Sequence, residues 1–519
     1  IAFKFDFTHV FTVDMLIAGG SASLTAGQGI TLEDFLKTGD ALSIKTDGDI
    51  TLNHEVTAGG DLSLSTKGNL TTNAEVVSRG AATVDAKNVE LRANLTADKN
   101  LAITAKDKLV INEGVNLFMK ADGKLKAGTA SFGTDVRAGG ALTIDVDDQL
   151  TVHDITAGGN LNASALKINA HDITAVGGAV LSAKQNFTVN DVRVIRKDNS
   201  PVETTSIKAL RDVKVHDLDI GGDLNVTGGS ISANNIKSTG KTAMTATEGD
   251  LTVVNLSAGD ALDAVAKAAM NVDTVTGGKS IALTAQTGYL RTKGEVRSDG
   301  DAMLTAGYHL TTEGALTAGG KLTAKAGFSL TTKEAVTAGK DVSLSGKRVK
   351  TERTVTAGGT LTANARENLI TNGTVTAGGK LTANVGEKFT INGAVTTDGD
   401  LSVTVKDLFK TNATVLSRGA VQVEAKDVNL NADFASDKNL AMTVHNYLYA
   451  EWLKDLSSKA DATLKARVAR LDSDVRADGK LTIETDEQLA AKNIAAGGDA
   501  VLTPGTDITV NDVTVGGNL

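Results

Sequence analysis

Apolar and polar residues alternate along this chain in short bursts of three to six residues, and the bursts recur at a nearly constant spacing. Aligned on its Gly-Gly or Gly-Asp steps, the chain shows one recurring corner: Gly59-Gly60, Gly139-Gly140, Gly158-Gly159, Gly319-Gly320, Gly358-Gly359, Gly378-Gly379 and Gly497-Gly498. Degenerate copies such as Ser78-Arg79-Gly80, Thr397-Asp398-Gly399 and Ser417-Arg418-Gly419 fill the gaps. Apolar columns stand at fixed offsets from the step. Ala302, Leu322, Val342, Leu361, Leu381, Leu401 and Val421 form one column, and Leu316, Val336, Val355, Val375, Val395 and Val415 another. Within each burst the spacing is two, which is the period of a strand, and no segment holds a helical period.

This pattern predicts an all-β fold: a parallel β-helix, or β-solenoid, of about 19–20 residues per turn and about 26 turns, one continuous rod over residues 1–519. A lone strand cannot bury its apolar face. Stacking equivalent strands about 4.8 Å apart turns each face into a continuous column, and the stack would extend on the order of 125 Å. Glycine at the step supplies either a positive φ or room for the backbone of the neighbouring turn. A second corner favours asparagine, at Asn53 and Asn73 and again at Asn372, Asn392 and Asn412, where each amide can hydrogen-bond its equivalent one turn away.

A longer repetition lies above the turns. Thr72–Ala81 reappears as Thr411–Ala420, and Asp135-Val136-Arg137-Ala138 as Asp474-Val475-Arg476-Ala477, both displaced by 339 residues. The duplicated block therefore runs from about 70–180 to 409–519. Duplication on this scale lengthens a fibre.

Composition narrows the function classes. Aromatics are 3% of the residues and proline occurs twice, so the core is thin and built of small layered side chains. Lysine and arginine number 53 against 62 acids, for a net charge of −9. With no clustered cations, nucleic-acid binding is disfavoured. No apolar run is long enough for a membrane span. There is no cysteine, as suits a chain that crosses membranes unfolded, and nucleophilic thiol chemistry is excluded. The first residue is Ile1, and the expectation is an internal piece of a larger protein.

The Val-Thr-Ala-Gly-Gly-x-Leu steps and their following x-Leu-x-x-x-Gly/Asn-x-Val spacing resemble the haemagglutinin repeats of filamentous haemagglutinin-like exoproteins of two-partner secretion. The resemblance covers nearly the whole chain. It implies a right-handed parallel β-helix, export through an outer-membrane Omp85-type transporter, and display at a bacterial cell surface. The family's amino-terminal secretion domain, with its Asn-Pro signatures, is not in this sequence. Adhesins and contact-dependent toxin-delivery proteins share such shafts. The function expected is therefore a secreted adhesive shaft acting by length, stiffness and multivalent contact, with a passive toxin-delivery stick as the alternative. Expected partners are the transporter, a glycan or protein on a host or neighbouring cell, and further copies joined end to end or laterally.

Function in a solenoid is sought where the repeat breaks, and irregular excursions are expected near 1–20, 192–221 and 440–465. Phe3, Phe5, Phe7 and Phe11 open the chain as an aromatic-rich turn or end cap. Register is lost across Arg196-Lys197-Asp198-Asn199-Ser200-Pro201, which predicts a surface loop. Tyr447, Tyr449 and Trp452 include the single tryptophan, and the matching stretch Lys108–Glu113 carries no aromatic. They are the candidate glycan or partner contact, against plain packing within a turn. His153-Asp154, His171-Asp172 and His216-Asp217 fall at the Asn corner, so His153 and His171 can sit on adjacent turns. Such a pair could hold a transition metal, but histidine as a substitute corner residue is the simpler reading, and neither metal nor cofactor is assigned.

No enzyme motif emerges. A zinc-protease helix, a phosphate loop, a nucleophile elbow and the Gly-Gly-x-Gly-x-Asp calcium repeat are all missing. Polysaccharide-degrading β-helices remain the enzymatic alternative, but they need carboxylates gathered on one face. Asp145, Asp147 and Asp148 form the densest acidic group, and Asp148 points away from the other two. Asn-x-Thr triplets such as Asn94-Leu95-Thr96 are expected by chance in a Thr-rich chain.

Overall fold

The period-two bursts are strands, and each buries its apolar positions inward. In Leu62–Thr66, Leu62, Leu64 and Thr66 are buried while Ser63 and Ser65 face outward. In Leu381–Val385, Leu381, Ala383 and Val385 are buried. The computed structural model describes residues 3–196, 203–451 and 454–519. The described residues are strands and corners with no helix, and the chain is a right-handed parallel β-solenoid of about 25 turns. Contacts divide it into two compact units, Ile1–Gly259 and Asp260–Leu519. The excursion residues Lys197 to Pro201 and the candidate Trp452 lie outside the described residues.

In the first unit a turn has three strands, such as Leu42–Thr46, Asp49–Leu52 and Val56–Ala58. Each pairs in parallel with its counterpart one turn on: Leu42 with Leu62, Ile50 with Leu70, Val56 with Val76. The second unit repeats the arrangement. Ala302, Leu322, Val342, Leu361, Leu381, Leu401 and Val421 pair in succession, so the column read from the sequence is one continuous inner ridge. All are 1–3% exposed. Burying one such leucine contributes about 1.5–3 kcal/mol, so the ridges hold the stack together.

Turn length varies. Asn53 and Asn73 meet across 20 residues, Asp154 and Asp172 across 18, and Asn94 and Asn116 across 22. The shortening has a local cause. In the long turns three residues, Asn53, His54 and Glu55, separate buried Leu52 from buried Val56, and three more separate Thr66 from Leu70. In the short turns two residues, His171 and Asp172, precede buried Ile173, and two separate Ala165 from Ile168. A two-residue corner bends the strand without ending it, and so Gln149–Ala157 and Lys167–Val176 run through it in unbroken register.

The corner glycines serve space rather than dihedral freedom. Positive φ occurs at Gly114 and at one glycine corner, Gly177, while no positive φ is found at the other Gly-Gly steps among the described residues. At Gly59, Gly139, Gly319, Gly358 and Gly378 a Cβ would run into the carbonyl oxygen of the turn before. At Gly140, Gly320 and Gly359 it would strike an Asp carboxylate, and at Gly60 and Gly379 it would crowd the neighbouring backbone. The carboxylate explains the Gly-Gly-Asp step. Asp301 Oδ1 accepts the Lys321 backbone N–H at 2.8 Å, and Asp400 Oδ1 that of Ala420 at 2.9 Å, satisfying amides that the corner leaves unpaired. At Asp341 the equivalent bond from Thr360 is the main reason its carboxyl lies below the usual range.

Candidate functional site

Three outward-facing clusters stand out from the repeating wall. The first contains the aromatic candidates named from the sequence. Tyr447 and Tyr449 lie in the strand Leu440–Ala450, whose Leu448 and Ala450 point inward, so both rings share the outer face. A register slip, with two residues between Val444 and Tyr447 against one between Ala425 and Asp427, lets Asp427 Oδ1 accept from the Asn446 amide at 2.7 Å and the Tyr447 N–H at 3.1 Å. Tyr447 is 36% exposed. Tyr449 pairs with Arg470 of the next turn, whose guanidinium is held by Asp472 at 2.9 Å.

The second cluster went unnoticed in the sequence because it lies within regular turns. Tyr308 stacks on Phe328 one turn away, with centroids 5.2 Å apart, and meets His309 at 4.1 Å. Tyr289, on the preceding turn, is 44% exposed and Tyr308 50%. The Lys347 ammonium and Arg348 guanidinium lie 5.2 and 5.3 Å from the Phe328 ring centre, within cation–π range. Glu367 positions both cations, at 2.8 Å each. The bond from Lys347, followed by that from Arg348, draws the Glu367 carboxyl below its ordinary range. Beside this plate a shallow groove of about 400 Å³ opens at Gly346, edged by Lys325, Ser345, Asn364, Arg366 and Asn384. The available signal was a pair of aromatics 20 residues apart at one register position, Tyr308 and Phe328, with Tyr289 one position away on the turn before.

The third cluster is the corner column of the short turns. Asp154, Asp172, Asp191 and Asp217 pair directly in register. The His153 and His171 rings stack at 5.1 Å with planes 8° apart, so the sequence placed these two residues correctly on adjacent turns. Among the described residues the groups able to hold a metal are His153, Asp154 and His171, and Asp191, His216 and Asp217. The Asn corners behave differently. Asn392 donates to Asn372 and Asn412 to Asn392, each at 2.8 Å, as Asn73 does to Asn53. Glu352 closes the second ladder by accepting from Asn372. Its carboxyl is lowered first by a bond from Lys350 and then by Asn372.

These clusters sit on a wall whose sequence matches known repeats. The family model of the haemagglutinin repeat matches residues 13–113, 133–191, 335–390, 376–441 and 455–519. No curated protein and no solved structure matches the chain. Haemagglutinin-repeat proteins are typically secreted surface proteins and substrates of two-partner secretion, and the family is structural and adhesive rather than enzymatic. Among the described residues no helix is long and apolar enough to cross a membrane. The matched ranges span well over half of the sequence, and the fold they imply is the fold observed, so the chain belongs to the haemagglutinin-repeat family.

Proposed function

We propose that this chain is an adhesive shaft segment, exported through an Omp85-type outer-membrane transporter and displayed outside the cell, that binds glycans on a facing surface through its outward aromatic clusters. The observation that carries this reading is Tyr308, half exposed and stacked on the part-buried Phe328 on a wall of haemagglutinin-repeat type. Half of Tyr308 is left uncovered by its ring neighbours. It offers a flat apolar face to the C–H face of a sugar, and the neighbouring Lys347, Arg348, Asn364 and Asn384 supply hydrogen-bond donors. Tyr447 and Tyr449 provide a second plate of the same kind. Weak contacts repeated along a shaft add as avidity.

A glycan array probed with the full chain tests this. The expected result is a defined set of bound sugars, with binding reduced at least tenfold by Tyr289→Ala with Tyr308→Ala. A smaller loss is expected from Tyr447→Ala with Tyr449→Ala, and the circular dichroism spectrum should be unchanged in both. A chain that binds no glycan and no cell surface would instead be a passive spacer, as in the toxin-delivery reading.

A further inference from the structure

The corner column of the short turns has a charge problem that the other corners do not share. Several acids elsewhere on the wall are matched by a cation on an adjacent turn: Asp98 by Lys120 at 2.7 Å, Glu313 by Lys333 at 2.8 Å, Asp341 by Lys321 at 3.5 Å. Asp154, Asp172, Asp191 and Asp217 stack directly on one another. Among the described residues their ion-pair partners are histidines alone. Like charges placed opposite one another across strands destabilise a sheet. Asp135, next in the column, is held by Arg137 at 2.8 Å, and Asp217 accepts from the Asn235 amide at 2.7 Å. Inside the column the Asn190 amide donates to Asp172 at 3.4 Å and the Asp172 backbone N–H to Asp154 at 3.2 Å, but among the described residues no lysine or arginine pairs with these carboxylates. Asp191 Oδ1 is shielded from solvent and has no hydrogen-bond partner in the protein, although it faces His216 Nδ1 at 3.7 Å.

We propose that this column is a binding site for divalent transition-metal ions of the Zn²⁺ class, with two separate centres. The first is His153 Nδ1, His171 Nδ1 and the Asp154 carboxylate, and the second is His216 Nδ1 with the carboxylates of Asp191 and Asp217. Within each group the ligand atoms lie within 4.8 Å of one another. Asp154 Oδ1 is 3.3 Å from His153 Nδ1 and 3.4 Å from His171 Nδ1, and His216 Nδ1 is 3.2 Å from Asp217 Oδ1. Ligands about 2.0–2.1 Å from a tetrahedral ion stand about 3.3–3.4 Å apart, so these separations are the edges of such a site. Imidazole nitrogen selects borderline metals over Mg²⁺ and Ca²⁺, which take oxygen alone. Each centre presents three protein ligands and leaves a fourth position to solvent. Beside them the wall forms a shallow groove of about 670 Å³ edged by His171, Asn190, Lys214 and His216, which leaves the open position accessible. The two-residue corner makes this possible, because it turns both of its residues outward, histidine and aspartate at 153–154, 171–172 and 216–217.

Titration calorimetry of the full, untagged, chelator-treated chain with ZnCl₂ and with MgCl₂ tests the proposal. The comparison variant is His153→Asn/His171→Asn/His216→Asn. Asparagine occupies this corner in the regular turns and in the column itself at Asn190, so the variant keeps the backbone and the aspartates. The expected result is two more equivalents of Zn²⁺ on the parent than on the variant, one of them lost with His216→Asn alone, and no comparable Mg²⁺ binding. X-ray absorption on the Zn²⁺-loaded parent should show imidazole nitrogen in the first shell, a result that does not depend on the variant folding. Equal Zn²⁺ stoichiometry in parent and variant, equal binding of Mg²⁺, or a first shell without imidazole would overturn the assignment and leave the column as a diffuse counter-ion site.

Discussion

The regular turns around Asn372, Asn392 and Asn412 and the short turns around Asp154, Asp172 and Asp191 meet the same demand at the same corner in opposite ways. An amide is both donor and acceptor, so stacked asparagines satisfy one another indefinitely, each donating to the turn before. A carboxylate only accepts, so stacked aspartates need a donor or a cation from elsewhere. Aspartate in place of asparagine at the stacked position turns a self-sufficient ladder into one that requires a partner, whereas Asn235 and Asn255 keep the amide ladder in equally short corners. A β-solenoid thus carries specific chemistry on its wall without changing its core.

If the core is indifferent to the corner, removing a large inner side chain should cost the same in either region. Phe409 and Phe187 are both fully buried, the first among Phe389 and Phe434. Phe409→Ala and Phe187→Ala are each expected to lower local stability by about 3–5 kcal/mol, read by amide hydrogen exchange in the turns on either side. A near-neutral Phe187→Ala would mean that the short turns are held by something other than their core.

A smaller effect separates core columns rather than corners. Thr292, Thr312, Thr332, Thr351 and Thr371 stack in register inside the wall, and their hydroxyls have no hydrogen-bond partner. Leu32 and Leu52 fill the equivalent column in the first unit. Thr332→Val removes a buried hydroxyl with little change of shape and should stabilise by about 1 kcal/mol. A loss of melting temperature would show that the column is satisfied after all.

The corners themselves should respond with opposite signs. Asn392→Ala breaks two ladder bonds and should destabilise by about 1 kcal/mol. Asp172→Asn in the metal-free chain relieves repulsion and supplies a donor, with an expected gain of about 0.5 kcal/mol. Chemical denaturation of the two variants checks this. Changes of the same sign would show that the two ladders are equivalent.

Much of the architecture was legible in the sequence. The Ala302-to-Val421 column, the Asn ladder and the stacking of His153 on His171 all follow from counting residues, since a parallel stack brings together whatever lies one turn apart. Turn length was harder to judge. A constant spacing of 19–20 residues hid the 18-residue turns, because Asn-His-Glu and His-Asp both present themselves simply as polar interruptions. The aromatic plate was missed for a related reason. Attention to breaks in the repeat led to Tyr447 and Tyr449, whereas Tyr308 and Phe328 stand at ordinary outward positions in unbroken turns.

The inner face was settled by the sequence alone, because alternation is local and any chain with this pattern must bury the same set of side chains. The outer face depended on the tertiary structure. Outward residues interact only across turns, so a difference of one or two residues in turn length decides which of them meet. The corner glycines illustrate the same division. Their recurrence marks a corner, but only the stacked backbone shows that the reason is the carbonyl of the turn before, which leaves no room for a Cβ.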